Sequence, residues 1–224
     1  MRPLALSALA ALLVAAPLAG CGEKKETLGD TTVMYAPGVR PSKPPWRPEY
    51  AHLKQRIVKL GLPPVGKEQV HKHALLHIYD DGLLIPLQAN IGWDPRHKVF
   101  SSVHTHDKTG VVHMESARPY RFTLGDFFVI WGVPFGRRTL GNLHASGSKQ
   151  IHVFVKGRRV RDPVHYTMRD GDNISIGYGA VGSFPHSPDA SALKAVSGEG
   201  GAQATCSKGG GGKRAKSCVK GSSG

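Results

Sequence analysis

Cysteine is almost absent from this chain. There are three among 224 residues, Cys21, Cys206 and Cys218, and none falls between residues 22 and 205. A thiolate metal site, a thiol nucleophile and a disulfide-built core are thereby excluded from that stretch. Gly-x-Ser-x-Gly and a phosphate-binding glycine loop are also missing, which removes the commonest hydrolase and nucleotide-binding readings. Beyond the first twenty residues no run is apolar enough to span a bilayer. Acidic groups are scarce too: 16 Asp and Glu stand against 30 Lys and Arg, a formal charge of +14. Such an excess suits nucleic acid or an anionic surface. The basic residues are scattered, apart from Arg158-Arg159 with Arg161 and Lys213-Arg214 with Lys216. The start of the chain argues for export. Nucleic acid is therefore set aside as a partner, and anionic lipid headgroups or wall polymers are expected; simple solubility would explain the charge as well.

The opening MRPLALSALAALLVAAPLAGC joins a basic end at Arg2, an apolar run and a small-residue stop. It predicts a secretory signal over 1–20, whose removal takes one positive charge with it. Leu18-Ala19-Gly20-Cys21 resembles the lipobox of bacterial lipoproteins. The resemblance implies a diacylglyceryl group on Cys21. The protein would then sit on the outer face of the cytoplasmic membrane, or in the periplasm or at the outer membrane of a two-membrane cell, without spanning either. Plain secretion is the alternative. Residues 21–46 are polar and then proline-rich, as in an extended tether. Residues 185–224 are rich in Gly, Ser and Lys and are expected to form a disordered tail. A disulfide between Cys206 and Cys218 is permitted there and would do little for the fold.

The remainder, 47–184, predicts one α+β domain: a small, mostly antiparallel sheet of hairpins with one or two short helices. Pro48 suits a helix start, Leu53, Ile57 and Leu60 give it an apolar stripe, and Gly61 with Pro63 ends it. In HKHALLHIYDDGLLIPLQ, Ala74, Leu76 and Ile78 share one face, and His71, His73, His77 and Tyr79 the other; Asp81-Gly82 marks a hairpin turn. Thr123 caps a short helix over FTLGDFFVIWG, with Asp126 in its first turn. IHVFVKGRRV folds back around Lys156-Gly157, and NISIGYG supplies the last strand. The closing MRDGDNISIGYG resembles the end of β-grasp domains, a likeness of fold that carries no function.

Histidine supplies the chemistry. There are 12, and VHTHDKTGVVHMES holds three of them with a glutamate. Strand side chains alternate between faces, so register decides which meet. A loop centred on Lys108-Thr109 pairs His104 with His113 and Ser102 with Glu115. It puts Val103, Thr105, Val112 and Met114 on one face and His104, His106, His113 and Glu115 on the other. A three-residue loop with a Gly110 bulge would mix polar and apolar groups on both faces, so the first register is expected. Directly opposed Cβ atoms are then about 5 Å apart, close enough for imidazole nitrogens to reach one ion at about 2 Å. If both hairpins join one sheet, His71 and His73 face the same way. The expected ligands are His73, His104, His106 and His113, then His71 and Glu115. The expected ion is copper or zinc. His97, His144, His152, His165 and His186 are expected to serve ordinary surface and packing roles, and His77 ranks below the ligands.

The spacing matches neither the His-x-His-x-Asp-His of metallo-β-lactamase-type hydrolases nor the His-x-His and near Glu of cupins. Four blocks do show a likeness. They are His71-x-His73-Ala74 with Gly82; Pro86 with Ile91-Gly92; HTHD-x-x-G-x-x-H-x-E-S from His104 to Ser116, followed by Phe122-Thr123-Leu124-Gly125-x-Phe127-Phe128-x-x-Trp131-Gly132; and Val153 to Gly157 with Arg158, Tyr178 and Gly179. In these the chain resembles a family of uncharacterised exported or membrane-anchored bacterial and archaeal proteins. The resemblance supports grouping the histidines and implies no activity. The leading expectation is a lipid-anchored extracytoplasmic metal-binding domain. Its rivals are a metal-free surface interaction module and, third, a metal-dependent enzyme with Glu115 as base.

Overall fold

The computed structural model describes residues 36–67 and 69–199. The expected signal, Cys21 and residues 200–224, with Cys206 and Cys218, lie outside the described residues. In chain order the elements are α1 (Leu53–Leu60), β1 (Val70–Asp80), β2 (Leu83–Ile85), β3 (Trp93–Asp94), β4 (Val99–Phe100), β5 (Val103–His104), β6 (Val111–Ser116), α2 (Leu124–Trp131), β7 (Thr139–Leu140), β8 (Leu143–His144), β9 (Gln150–Val155), β10 (Arg158–Arg159), β11 (Asp172–Gly179) and α3 (Ser191–Glu199). The fold is α+β and mostly antiparallel. The main sheet runs β10-β9-β11-β1-β6-β5, with β2 beside the end of β1. Its one parallel pair, β1 with β11, lies at the centre.

Local chemistry sets each turn. Asp81 and Gly82 take φ of 46° and 88°, so the β1–β2 hairpin turns on a pair of left-handed residues. Lys156 and Gly157 do the same between β9 and β10. Thr123 and Asp126 form a reciprocal capping box on α2: each side chain accepts from the other's backbone N–H, at 3.0 and 2.8 Å. The Asp170-Gly171-Asp172 turn does lead into the last strand.

Ala74, Leu76 and Ile78 of β1 point into a core shared with Val112, Met114, Ile174, Ile176 and helix α2. That helix is buried at every position but Asp126. A helix apolar all round must be covered on all sides, and this corrects the expected tether. Its last part, 36–46, packs onto the domain: Ala36 and Trp46 are buried, and the Trp46 ring meets Trp131 edge-on at 5.7 Å. Arg56, fully buried on α1, donates to the carbonyls of Ile130 and Pro37 and pairs with Glu49. Glu49 also accepts from the His52 backbone N–H. That turn occupies the residues after Pro48, so the first helix begins at Leu53 and not at the proline.

The expected tail needs a similar correction. Residues 185–199 continue the fold across the sheet's outer face. The Pro185 and Pro188 carbonyls accept from Ser175 Oγ and Asn173 Nδ2 at 2.6 and 2.7 Å. Leu193 of α3 is buried against Leu75 and Val111. Composition marked the stretch as disordered, but Leu75 on the polar-looking face of β1 needs an apolar partner. Among the described residues no helix is long and apolar enough to cross a membrane.

Candidate metal centre

The other end of that outer face carries the histidines. The β5–β6 register is the expected one, His104 opposite His113, and β1 joins β6 with His73 opposite His113 and His71 opposite Glu115. Three strands therefore place His104, His113 and His73 in one row, with His71 and Glu115 in the next. The β5–β6 ladder is shorter than expected. It ends after His104, because the Thr105 N–H turns to the Ile91 carbonyl at 3.0 Å. His106 nevertheless returns to the cluster, its ring 4.2 Å from that of His113.

Among the described residues, two groups of side chains could hold a metal ion: His104, His106, His113 and Glu115, and His71, His73 and His113. The ligand atoms within each group all lie within 4.8 Å of one another. All six expected residues are thus brought together. His77 stands apart beneath the C-terminal segment, its Nδ1 buried without a hydrogen bond. The remaining histidines keep local partners: His52 with Glu49, His97 with Asp94, His165 with Asp162, His152 with Arg159, His144 with Thr139 and His186 with the Val181 carbonyl.

His104 is the fixed point. Its side chain is fully buried, against the Phe100 ring at 4.3 Å. Its Nδ1 is 3.0 Å from the Ser101 carbonyl. A carbonyl only accepts, so Nδ1 carries the proton and Nε2 presents a bare lone pair. That Nε2 accepts from His106 Nε2, 2.9 Å away. Two nitrogens bound to one ion at about 2.0–2.1 Å, at angles of about 90° to 109°, are about 2.9–3.4 Å apart. The observed pair lies inside that window. Glu115 Oε1 is 3.4 Å from His113 Nδ1, 3.6 Å from His71 Nε2 and 4.0 Å from His104 Nε2. The contact with His113 is long for a hydrogen bond, and that buried Nδ1 has no hydrogen-bond partner. A buried, unbonded nitrogen costs about 1–3 kcal/mol; coordination would remove that cost.

The electrostatics favour a cation. Burial pushes the His104 imidazole down to about 3. His106 and His73 are also lowered, first by burial and next by His113. These rings are neutral at pH 7, which is the ligand form. Glu115 is held down to about 2, first by the His113 imidazole beside it, so it is an anion at pH 7.

Several supports were not expected from the sequence. Gly92, at φ +74°, sits where a Cβ would meet the Val103 carbonyl at 2.6 Å and His104 Cβ at 3.3 Å. Only glycine lets the 88–92 segment clasp β5, through Gly92 O to Ser101 N at 2.8 Å and Gln88 O to Thr105 Oγ1 at 2.8 Å. Asp170 Oδ1 accepts from the His73 N–H at 2.9 Å, and the Gly171 N–H donates to the His73 carbonyl at 2.8 Å. Ile91-Gly92 and the Asp-Gly-Asp turn were both visible signals, but nothing local in the sequence ties them to histidines far away in the chain. Trp93 and Phe100, with Pro95 and Lys98, line a shallow open depression beside His106 and His104.

Fold and site together define an α+β domain with a histidine–carboxylate centre on one sheet face. Compared with protein-family models, curated proteins and solved structures, the chain matches none of them.

Proposed function

We propose that the protein is a lipid-anchored extracytoplasmic domain that binds copper or zinc through this cluster. The observation that carries the metal reading is the convergence of His104, His106, His113 and Glu115, whose ligand atoms lie within 4.8 Å of one another around the unprotonated Nε2 of a fully buried His104. Neutral imidazoles with one carboxylate suit both ions, being borderline-soft nitrogen donors joined to a single hard oxygen. The anchor rests on Leu18-Ala19-Gly20-Cys21 and the apolar run before it. The charge of +14 and the exposed Arg158 and Arg159 on edge strand β10 suit anionic headgroups or wall polymers beside that anchor. The likeness to exported and membrane-anchored proteins supports the same placement.

The test is metal content. The full chain, purified in detergent and dialysed against trace copper or zinc, is expected to retain at least one ion per chain by mass spectrometry. His104→Ala with His106→Ala is expected to lower the number of ions retained per chain. Sub-stoichiometric metal that the double substitution leaves unchanged overturns the metal reading. Recovery of wild-type and Cys21→Ser protein alike in the soluble fraction overturns the anchor.

A further inference from the structure

The two ligand groups share one residue, His113. It lies on β6, the middle of three strands, with His104 opposite on one side and His73 on the other. Its ring is stacked on that of His104 at 5.3 Å with 14° between planes, tilted towards His106 at 4.2 Å, and edge-on to His73 at 4.7 Å. His71 extends the second side, 4.8 Å from His73. One ion could not satisfy the whole set. Ligand atoms on a single ion at about 2.0–2.1 Å are at most about 4.2 Å apart, whereas the five imidazoles and Glu115 fall into two groups and not into one set of ligand atoms within 4.8 Å of one another.

We propose that the cluster holds two transition-metal ions, one on each side of the His113 ring, with that imidazole shared between them. His104, His106 and Glu115 serve the first position, His71 and His73 the second. This rests on the metal-binding reading above and adds to it the number of ions and the bridge. The proton balance is definite. A neutral imidazole gives one nitrogen lone pair to the first ion. On taking the second it releases its remaining N–H proton to solvent and bridges as imidazolate. The imidazolate and Glu115 together offset two of the four positive charges of a dication pair. The supports differ between the two positions as well. The first is pinned by the Ser101 carbonyl behind a fully buried His104. The second is held by Asp170 and Gly171 on the peptide of His73 and is half open to solvent, the His71 side chain being 49% exposed.

Copper(II) titration of the full chain, read by mass spectrometry and electron paramagnetic resonance, tests this. The expected result is two coppers per chain with a spin signal well below the total copper, because a shared imidazolate couples the two spins antiferromagnetically. His71→Ala with His73→Ala is expected to bind one copper per chain and to show its full signal. Its circular dichroism and melting temperature establish that it is folded, and the wild-type spin count stands without it. One copper per chain at full signal in the wild type overturns the pair and leaves the single-ion reading intact. Two coppers at full, uncoupled signal overturn the sharing of His113. No retained copper or zinc in the wild type overturns both this inference and the reading beneath it.

Discussion

At the scale of single residues, His104 shows how burial converts a titratable side chain into a permanently neutral nitrogen donor. Its imidazole is neutral down to about 3, while an unfolded histidine titrates near 6.5. Between those values the unfolded chain binds a proton that the folded chain refuses, so metal-free stability rises with pH. The contribution of His104 is complete above about 6.5 and is lost as pH falls towards 3. Glu115 acts in the same direction, its stabilisation fading as pH drops from the ordinary carboxylate range towards 2. Urea unfolding of the metal-free protein at pH 7 and pH 4.5 is therefore expected to show a marked loss at the lower pH. In His104→Phe that loss should shrink by on the order of 2 kcal/mol. An unchanged difference between the two pH values would mean that the ring is not desolvated as described. Saturating metal is expected to raise the melting temperature of the wild type by more than that of this variant; equal melting of the wild type with and without metal would favour a purely structural role for the histidines.

At the scale of elements, the site is built where separate segments clasp three strands. The 88–92 segment fixes β5, and the Asp170-Gly171 turn fixes the start of β1. Asp170→Ala removes the acceptor for the His73 N–H while leaving every proposed ligand in place. Substituting such a supporting partner typically weakens metal affinity about 10- to 100-fold, and a loss in that range is expected here in competition with a chelator. No change in affinity would show that the turn is only a fold feature. This coupling also marks the limit of what the sequence made legible. The alternation in HKHALLHIYD and VHTHDKTGVVHMES read correctly because period-two patterning is local and register follows from one clean apolar face. The capping box at Thr123 and Asp126 was equally local. The Ser101 carbonyl behind His104 and the Asp170 carboxylate beneath His73 were not visible, because a backbone acceptor has no sequence signature and a contact across 97 residues has no period.

At the scale of the whole molecule, the sheet has two faces with different fates. One packs on α1 and α2. The other is divided between the C-terminal segment, over Leu75, Val111 and the Tyr79–Phe154–Phe184 cluster, and the histidines. The sequence placed the ends of the domain too far inward on both sides for the same reason. Low hydrophobicity along a segment says little when a few residues, Trp46 at one end and Leu193 at the other, fill specific gaps. Phe184 lies directly on Gly177, where any Cβ would overlap its ring. Ending the chain at residue 183 removes Phe184, the two proline carbonyl contacts and Leu193, and should lower the melting temperature by several degrees, each buried large side chain lost being worth roughly 2–5 kcal/mol. A truncated chain that melts with the full one would return this segment to the status of a tail.

The central claim is that imidazole nitrogens from neighbouring strands converge on bound metal. X-ray absorption at the copper or zinc edge of the loaded full chain examines the ion's own surroundings. The account predicts a nearest shell of nitrogen and oxygen at about 2.0–2.1 Å, with the outer-shell scattering of several imidazole rings, reduced in His104→Ala with His106→Ala. A shell of oxygen alone without imidazole scattering, or one that the double substitution leaves untouched, would contradict it.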